Sequence, residues 1–227
     1  MAIVLYDLVG ADDRRFSPNC WRTRMALAHK GLPHEARPTR FTEIGSICDG
    51  AQKTLPTMED QGRVLSNSWT IAAYLEQRYP DRPSLFGGDA GLTRFLEAWL
   101  NIVVHPATNR MIVQDICDHL TPEDKDYFRA TREKRWGEPL AQVQAGREKR
   151  LEDYRAMLQP LRTPLAEAPY LGGRQPRYAD YLVFGVFQWA RSVSRFKLLA
   201  ADDPLATWFG RCLDLYDGIG RRAPGYD

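Results

Sequence analysis

The first 31 residues contain a strand signal followed by a helix whose two ends are both marked. Ser17 is a good N-cap, because its hydroxyl can accept a hydrogen bond from an unpaired backbone N–H, and Pro18 suits the first helical position. Gly31 can adopt the left-handed conformation that ends a helix. The apolar residues 3–6 precede this helix as a short strand. A hydroxyl at the positive end of a helix indicates a place that can hold an anion.

The remainder of the first 84 residues mixes strand and helix signals. Strands are predicted at residues 2–8, 34–37, 55–60 and 63–66, helices at 17–30 and 68–79, and an irregular polar stretch at 39–54. The order βαβ and then ββα is a thioredoxin-like layout. Pro56 opens the third strand, where that fold keeps a cis-proline, although a proline at a strand start also has a plain steric explanation.

After the linker at residues 80–89 the strand signals stop, and only helical patterns follow. Helices are predicted from residue 92, from 121, over 140–158, over 181–190 and over 205–212, with Pro106 expected to kink or break the first. The segment 181–190 is apolar almost all round and is predicted to be a buried central helix. The sequence therefore predicts a thioredoxin-like α/β domain at 1–84 and an all-α domain at 90–227.

Composition excludes several classes of function. A net charge of +2 argues against a surface that binds nucleic acid. The apolar runs are too short for a membrane span, and the first residues lack a signal-peptide pattern. We therefore expect a soluble cytoplasmic protein. The four cysteines and the histidines have no zinc-ligand spacing, so no metal is predicted, and Cys20 near the first helix start is interpreted as a packing residue.

The pattern Ser-x-x-x-Trp-Arg-x-Arg, which begins at Ser17, resembles the first helix of serine-type glutathione transferases. In that family the serine at the helix start donates a hydrogen bond to the glutathione thiolate, so the resemblance implies this catalytic role for Ser17. The alternative is that Ser17 only caps the helix. Arg22 and Arg24 could contact a ligand or form surface or intramolecular ion pairs.

Two further segments resemble the glutathione site of the same family. The resemblance implies that the backbone of Leu55, before Pro56, pairs with the cysteinyl residue of glutathione. Asn67 and Ser68 would hold the γ-glutamyl end at the next helix start, although the family most often has Glu or Asp where this chain has Asn67. Lys53 could meet the glycine carboxylate of glutathione; the alternative is a solvated surface lysine.

The helical half resembles the bacterial glutathione-dependent β-etherases and related fungal transferases. The similar segments include 143–148, 170–176, 179–181 and 202–205. The chain departs from this pattern at Asn19, where the etherases can carry an aromatic residue, and at Arg177, where the family usually has a capping Ser, Thr or Asn. Asn19, Asn101 and His105 are candidates for the second-substrate pocket; the latter two could instead be solvated helix-face residues.

These patterns favour a homodimeric glutathione transferase that activates the glutathione thiol for attack on an electrophilic small molecule, with an aromatic one expected. Cleavage of β-aryl ethers is the favoured reaction, and detoxification is the broader role. One alternative is a glutathione-dependent isomerase or dehalogenase of the zeta-like type, which shares the Ser-x-x-x-Trp-Arg-x-Arg pattern. The other is a protein of the same fold that binds glutathione or ligands without turnover.

Overall fold

The computed structural model describes residues 2–227, which form a four-stranded mixed sheet followed by helices. The strands are β1 (Ile3–Leu8), β2 (His34–Thr39), β3 (Thr57–Asp60) and β4 (Arg63–Ser66). The helices are α1 (Pro18–His29), α2 (Ser68–Arg78), α3 (Ala90–Trp99), α4 (His105–Asp118), α5 (Pro122–Trp136), α6 (Leu140–Gln144), α7 (Arg147–Met157), α8 (Gln159–Leu165), α9 (Tyr178–Val193), α10 (Pro204–Leu213) and α11 (Leu215–Arg222).

The sheet confirms the predicted thioredoxin-like N-terminal domain. Its strand order is β2-β1-β3-β4, with β2 parallel to β1 and with β3 and β4 antiparallel to their neighbours. The carboxyl end of β1, the start of β3 and the end of β4 therefore lie at one edge of the sheet. Both α1 and α2 begin at this edge, so two positive helix ends point towards the same region.

The predicted position of the unusual proline is confirmed, because the Leu55–Pro56 peptide bond is cis. Pro56 is buried immediately before β3. Its carbonyl accepts a hydrogen bond from the backbone N–H of Asn67 at 3.2 Å. This bond joins the entry to β3 with the start of α2, and it brings two of the predicted binding segments together.

The C-terminal domain is helical and is built around α9. Every residue of α9 from Asp180 to Val193 is buried, as the apolar pattern predicts. At the start of α9, Arg177 has no acceptor to cap the helix. Asp180 instead fixes the entry to the helix by accepting hydrogen bonds from the N–H groups of Arg177 at 2.9 Å and Leu171 at 2.7 Å, and from Trp208 Nε1 at 2.9 Å.

Of the kink or break predicted at Pro106, the break is wrong. Residues 90–118 form one helical rod in which Leu100–Val104 is a π-helical turn and Pro106 lies in the first turn of α4. The wider turn accommodates the proline, because a proline has no N–H to place in the regular helical ladder. The π turn also presents Asn101 towards the first domain, as described below.

The helix predicted over 140–158 is divided into α6 and α7. Ala145 is extended, with ψ of 143°, and Gly146 is left-handed, with φ of 67°, so the chain changes direction between them. The apolar pattern did not reveal this break, because buried residues continue at helix-like intervals on both sides of it. These residues are Leu140, Val143, Tyr154 and Leu158. Helix α11 was also missed, because its sequence carries two glycines and has little helical preference.

The two domains meet at a histidine cluster at the end of α1. His29 Nδ1 lies 2.7 Å from the hydroxyl of Tyr181 and 3.0 Å from that of Tyr216. Its Nε2 lies 3.1 Å from the carbonyl oxygen of Ser84 in the linker. A carbonyl can only accept, so Nε2 carries the hydrogen and Nδ1 accepts from a tyrosine hydroxyl. Burial lowers the pKa of His29, and the neutral ring is the form that this cluster requires.

We predict that acid weakens this junction. Because the folded-state pKa of His29 lies below the unfolded value of about 6.5, its contribution to stability is complete above that pH and declines as the pH falls towards the folded-state pKa. The His29→Gln variant should reduce the pH dependence of the unfolding free energy by up to about 1.4 kcal/mol per pH unit. Urea unfolding at several pH values between 7.5 and 5 measures this effect. Lys149→Gln, on the surface of α7, is the control, and identical slopes for His29→Gln and the parent chain would contradict the prediction.

Candidate active site

Ser17 lies at the N-cap of α1, as predicted. Its Oγ accepts a hydrogen bond from the Cys20 backbone N–H at 3.3 Å, and the residue is only 6% exposed. This is the only hydrogen bond that the Ser17 side chain makes within residues 2–227. The hydroxyl therefore caps the helix with its oxygen and keeps its O–H available as a donor to a bound group. Capping and donation are compatible in this geometry.

The loop before Ser17 is held by a buried ion cluster. Asp7, at 1% exposure, accepts from Arg15 Nη1 at 3.0 Å and from Arg24 Nη1 at 2.7 Å. The Arg15 carbonyl in turn accepts from Trp21 Nε1 at 2.7 Å. Arg24 therefore belongs to an intramolecular ion pair, one of the two roles predicted for it. The cluster connects β1, the loop and α1, so it limits the movement of Ser17.

Cys20 faces the interior. It is 1% exposed, and its Sγ accepts from the Leu8 N–H at 3.5 Å. Burial raises the pKa of the Cys20 thiol far above its ordinary value, and the charge of Asp7 adds to this rise. Its place near a helix start therefore does not make Cys20 a reactive thiolate, and the interpretation as a packing residue agrees with its burial.

The start of α2 presents a second polar group at the same edge of the sheet. Asn67 is exposed with φ of 78°, and its Oδ1 accepts from the N–H groups of Trp69 at 2.9 Å and Thr70 at 3.4 Å. Ser68 is 3% exposed, and its carbonyl accepts from the Tyr178 hydroxyl at 2.9 Å. Residue 178 opens α9, so the helical domain anchors this binding segment. Asn67 thus uses its oxygen as a cap and retains its amide N–H groups for a ligand.

The segment before β3 is open to a ligand. None of the loop and turn backbone hydrogen bonds found among residues 2–227 uses the N–H or the C=O of Leu55. Such an unpaired backbone can pair with an extended peptide in the manner of an added strand. Lys53 is exposed two residues earlier, and it forms no salt bridge within the described chain.

The three candidates for the second-substrate pocket lie on two elements: Asn19 on α1, and Asn101 and His105 on the helical rod of the C-terminal domain. Asn101 lies on the π turn, and its Oδ1 accepts from the guanidinium of Arg22 at 3.3 and 3.4 Å. His105 stacks on Trp189 with ring centroids 4.6 Å apart. Burial, followed by the nearby Arg22 charge, lowers the pKa of His105 to about 4. This histidine is therefore neutral at physiological pH. Asn19 is half-buried in the first turn of α1.

Arg22 was underestimated by the sequence patterns. It is 1% exposed, its Nε has no hydrogen-bond partner within residues 2–227, and burial lowers its pKa. Neither a surface position nor an ion pair describes it, because its partner is the amide of Asn101. The sequence held one indication of this burial, which is the position of Arg22 on the helix. Arg22 follows Trp21 and precedes Met25 on a helix that the other domain covers from the side.

Two absences were found in residues 2–227. No group of three or more His, Cys, Asp or Glu side chains is arranged there to hold a metal ion. No helix in this part of the chain combines the length and apolar character that crossing a membrane requires.

Comparison with protein families gives two matches. Residues 13–83 match the description "Glutathione S-transferase, N-terminal domain", and residues 91–215 match "Glutathione S-transferase, C-terminal domain". The second match alone covers more than half of the chain. Among curated proteins, a "Glutathione S-transferase-like protein ustS" of Aspergillus flavus is 23% identical over 222 residues, covering 82% of this chain and 78% of that protein. A maleylacetoacetate isomerase of Pseudomonas aeruginosa is 30% identical over 108 residues, covering 43% of this chain and 50% of that protein.

Solved structures with a similar fold match this chain over nearly its full length. Glutathione transferase GSTFuA3 from Phanerochaete chrysosporium has a TM-score of 0.83 and 25% identity, covering 93% of this chain and 96% of that one. The glutathione S-transferase CsGST63524 of Ceriporiopsis subvermispora, solved in complex with glutathione, has a TM-score of 0.75 and 27% identity, covering 96% and 97%.

Proposed function

Because the chain belongs to the glutathione S-transferase family, we propose that it activates the thiol of glutathione for attack on an electrophilic carbon, with Ser17 as the thiol-activating donor. The observation that carries this proposal is the Ser17 hydroxyl, which is buried at the start of α1 and free to donate. The similarity to a transferase solved with glutathione supports the same co-substrate.

We assign the parts of glutathione to groups at one edge of the sheet. The open backbone of Leu55, before Pro56, pairs with the cysteinyl residue. The Ser68 hydroxyl and the Asn67 amide take the γ-glutamyl end at the positive end of α2, where a carboxylate is favoured. Lys53 takes the glycine carboxylate, since it is exposed and lacks an acidic partner in the described chain. Three separate segments thus converge on one peptide-sized ligand.

The chemical task of the site is to stabilise a thiolate. A free thiol has a pKa of about 8.5, and each unit of depression requires about 1.4 kcal/mol of selective stabilisation. A hydrogen bond to a charged acceptor contributes about 1.5–3 kcal/mol, and a helix N-terminus adds about 0.3–1 kcal/mol. Together the Ser17 hydroxyl and the α1 dipole supply about two units of depression, which brings the thiol pKa close to neutral pH. Ser17 acts as a donor and remains covalently unchanged.

The favoured electrophile is a β-aryl ether or a molecule with a similar leaving group. The thiolate forms a C–S bond as the C–O bond breaks, and the aryloxide departs with the electron pair and takes a proton from water. The junction of α1 with the helical domain, which contains Asn19, Asn101 and His105, forms the wall of the second-substrate pocket. A neutral His105 stacked on Trp189 suits an aromatic substrate. The reason for this choice is the resemblance of the helical half to β-etherases that the sequence patterns indicate.

A second candidate is glutathione-dependent isomerisation, with dehalogenation as its relative. It is favoured by the half-length match to a maleylacetoacetate isomerase at 30% identity. Turnover of β-aryl ethers, maleyl-type isomers and organic halides, measured side by side with glutathione present, distinguishes the two reactions. Glutathione binding without turnover of any of them would support the binding-protein alternative.

We also propose a cytoplasmic homodimer that divides into a glutathione domain at 1–84 and a substrate-pocket domain at 90–227. Support for the dimer comes from an apolar stripe on the rod formed by α3 and the π turn. Leu92, Phe95 and Ile102 are 69%, 72% and 77% exposed. They recur at intervals of three and seven residues, so they share one helix face. A contiguous exposed apolar face of this kind marks an interaction surface.

The Ser17→Ala variant tests the catalytic assignment. Loss of one hydrogen bond to a charged acceptor should raise the pKa of the bound glutathione thiol by about one to two units. Turnover near neutral pH should fall about tenfold to hundredfold where thiolate formation limits the rate. The ultraviolet absorbance of bound thiolate against pH and the pH–rate profile measure the two effects.

Cap loss must be separated from loss of catalysis. Asp89→Ala removes the N-cap of α3, whose Oδ1 accepts from Leu92 N–H at 2.9 Å, so it serves as the matched control. Both variants should lose about 1 kcal/mol of stability, and only Ser17→Ala should shift the thiol pKa. A destabilised Ser17→Ala variant with an unshifted thiol pKa and normal turnover would refute the catalytic role.

The Ser68→Ala variant tests the γ-glutamyl pocket. It removes a hydrogen bond to a charged group, so glutathione affinity should fall by about 1.5–3 kcal/mol, measured by calorimetry. Thr70→Ala, exposed in the same turn of α2, should bind as the parent does. Asn67→Asp should be tolerated, because a carboxylate can also cap the helix. Unchanged affinity in Ser68→Ala would remove Ser68 from the site.

The Phe95→Glu variant tests the dimer. A carboxylate in the centre of the apolar stripe would be buried unpaired at an interface, so the variant should be monomeric in light scattering at micromolar concentration. Ala141→Glu places the same group on an exposed part of α6 and should leave the dimer intact. A monomeric parent chain would contradict the homodimer.

A further inference from the structure

A cluster of aromatic rings lies beside the proposed catalytic serine. Phe16, which directly precedes Ser17, lies with its ring centroid 6.1 Å from that of Phe41. The ring of Phe41 in turn lies 5.6 Å from that of Phe128 and 6.1 Å from that of Tyr127, both on α5. We call these four aromatic residues the aromatic wall. Tyr127 is 43% exposed and Phe41 is half-buried, so one side of the wall is open to a ring that approaches Ser17.

Arg132 covers the end of the aromatic wall. Its Cζ lies 5.1 Å from the ring centroid of Phe41 and 4.7 Å from that of Phe128. Arg135 lies three residues later on α5 and therefore on the same face of the helix. Burial lowers the pKa of Arg132, and the charge of Arg135 lowers it further. The two guanidinium groups thus share one region of the surface.

These two arginines lie next to the candidates for the second-substrate pocket. Arg110 of α4 lies over the ring of Trp136 at 5.2 Å, so the last turn of α5 packs beside the first turns of α4, where His105 lies. The charge of Arg135 adds to the effects of burial and of Arg22 in lowering the pKa of His105. The pocket therefore has arginines from α1 and α5 near a neutral ring on α4.

No acidic side chain in the described chain neutralises the two arginines of α5. Across residues 2–227, neither Arg132 nor Arg135 forms a salt bridge. The acids nearest to them in the sequence already have basic partners, which are Arg129 for Glu133 at 3.7 Å and Arg110 for Glu138 at 4.0 Å. The positive charge of both arginines is therefore left for a ligand.

Arg22 extends the same positive region from α1. It is 1% exposed, and its side-chain partner is the neutral amide of Asn101. Glu97 is the acid whose charge acts on Arg22, and Glu97 is itself paired with Arg94. A buried guanidinium with no carboxylate in contact raises the positive potential around it, because the low local dielectric weakens screening. The second-substrate pocket is therefore positive as well as aromatic.

We infer that the electrophile carries a carboxylate and that Arg132 binds it, with Arg135 as the second cation. This inference rests on the proposed function, because it names the class of the second substrate. A planar guanidinium can hold a carboxylate with two parallel hydrogen bonds. The aromatic body of the electrophile lies along Phe41, so the carbon that is attacked lies towards Ser17. The thiolate forms a C–S bond there and the leaving group departs with its electron pair, while the carboxylate is unchanged.

The test compares two electrophiles that differ in one charge. 4-Chloro-3,5-dinitrobenzoate carries the carboxylate, and 4-chloro-3,5-dinitrobenzamide has a neutral group of similar size in its place. Glutathione displaces chloride from both. For each one, kcat/KM of the full chain is divided by the rate constant of the uncatalysed reaction with glutathione, which removes the difference in intrinsic reactivity. We expect this normalised value to favour the benzoate by about tenfold at low ionic strength, and the preference to decline in about 0.5 M salt.

Variants of α5 assign this preference to residues. Arg132→Gln should reduce it by about tenfold, as expected for a lost hydrogen bond to a charged group. Arg135→Gln, at an exposed position, should reduce it by about twofold to fivefold. Arg132→Lys keeps the charge and should retain part of the preference. Lys134→Gln is the matched control, because it removes the same charge from an exposed position on another face of α5 and should keep the full preference.

The affinities of the two glutathione conjugates give a readout that does not need turnover. S-(4-carboxy-2,6-dinitrophenyl)glutathione should bind more tightly than its carboxamide in calorimetry, and Arg132→Gln should remove the difference. Thermal unfolding identifies a variant that does not fold, in which case the other variant decides.

Two results would overturn the inference. One is a parent chain with equal normalised values for both electrophiles and equal affinities for both conjugates. The other is a preference that neither Arg132→Gln nor Arg135→Gln changes. Absence of turnover with both electrophiles would count against the proposed function alone, and the conjugate affinities would then decide the inference.

Discussion

The close packing of α1 against α9 is the contact on which the rest of the structure depends. A Cβ atom at Gly185 would lie 2.4 Å from the carbonyl oxygen of Pro18, so only glycine allows this approach. One turn further, the ring of Trp21 meets Phe184 edge-on at 5.8 Å. The residue after Ser17 is thus held directly by the helical domain. The position of the proposed catalytic hydroxyl therefore depends on contacts from both domains.

The buried carboxylates stabilise the fold, and none of them is assigned to the proposed thiol. Asp7 pairs with two arginines, and Asp180 accepts from the N–H of Arg177 at the entry to α9. Asp124 accepts from the N–H groups of Phe41 and Thr42 at 3.1 and 3.0 Å, which ties the 3₁₀ turn Phe41–Ser46 to α5. These carboxylates are therefore paired within the protein. What remains for the proposed thiol is a hydroxyl, open backbone and helix ends, which suit the stabilisation of a thiolate better than proton transfer by a charged base.

The sequence predicted an element well where the residues at its own ends fix where it begins and stops. The Ser17-Pro18 start of α1, the hairpin of β3 and β4, and the apolar α9 were all predictable, because caps, turns and periodicity act over a few residues. Two of the failures share one cause. Pro106 inside a continuous rod and the turn at Gly146 depend on how neighbouring helices hold the backbone, and a hydrophobic stripe contains no information about that.

By itself, the sequence determined the order of elements in the first domain, the thioredoxin-like class of that domain, and Ser17, Leu55, Asn67 and Ser68 as candidates for one site. Tertiary structure alone decided that Tyr178 anchors Ser68 from the other domain. It also decided that Arg22 is buried against Asn101, and that Arg132 lies over the ring of Phe41. These features join residues about 80 to 110 positions apart. Local propensity cannot encode them, because they depend on the packing of the whole chain.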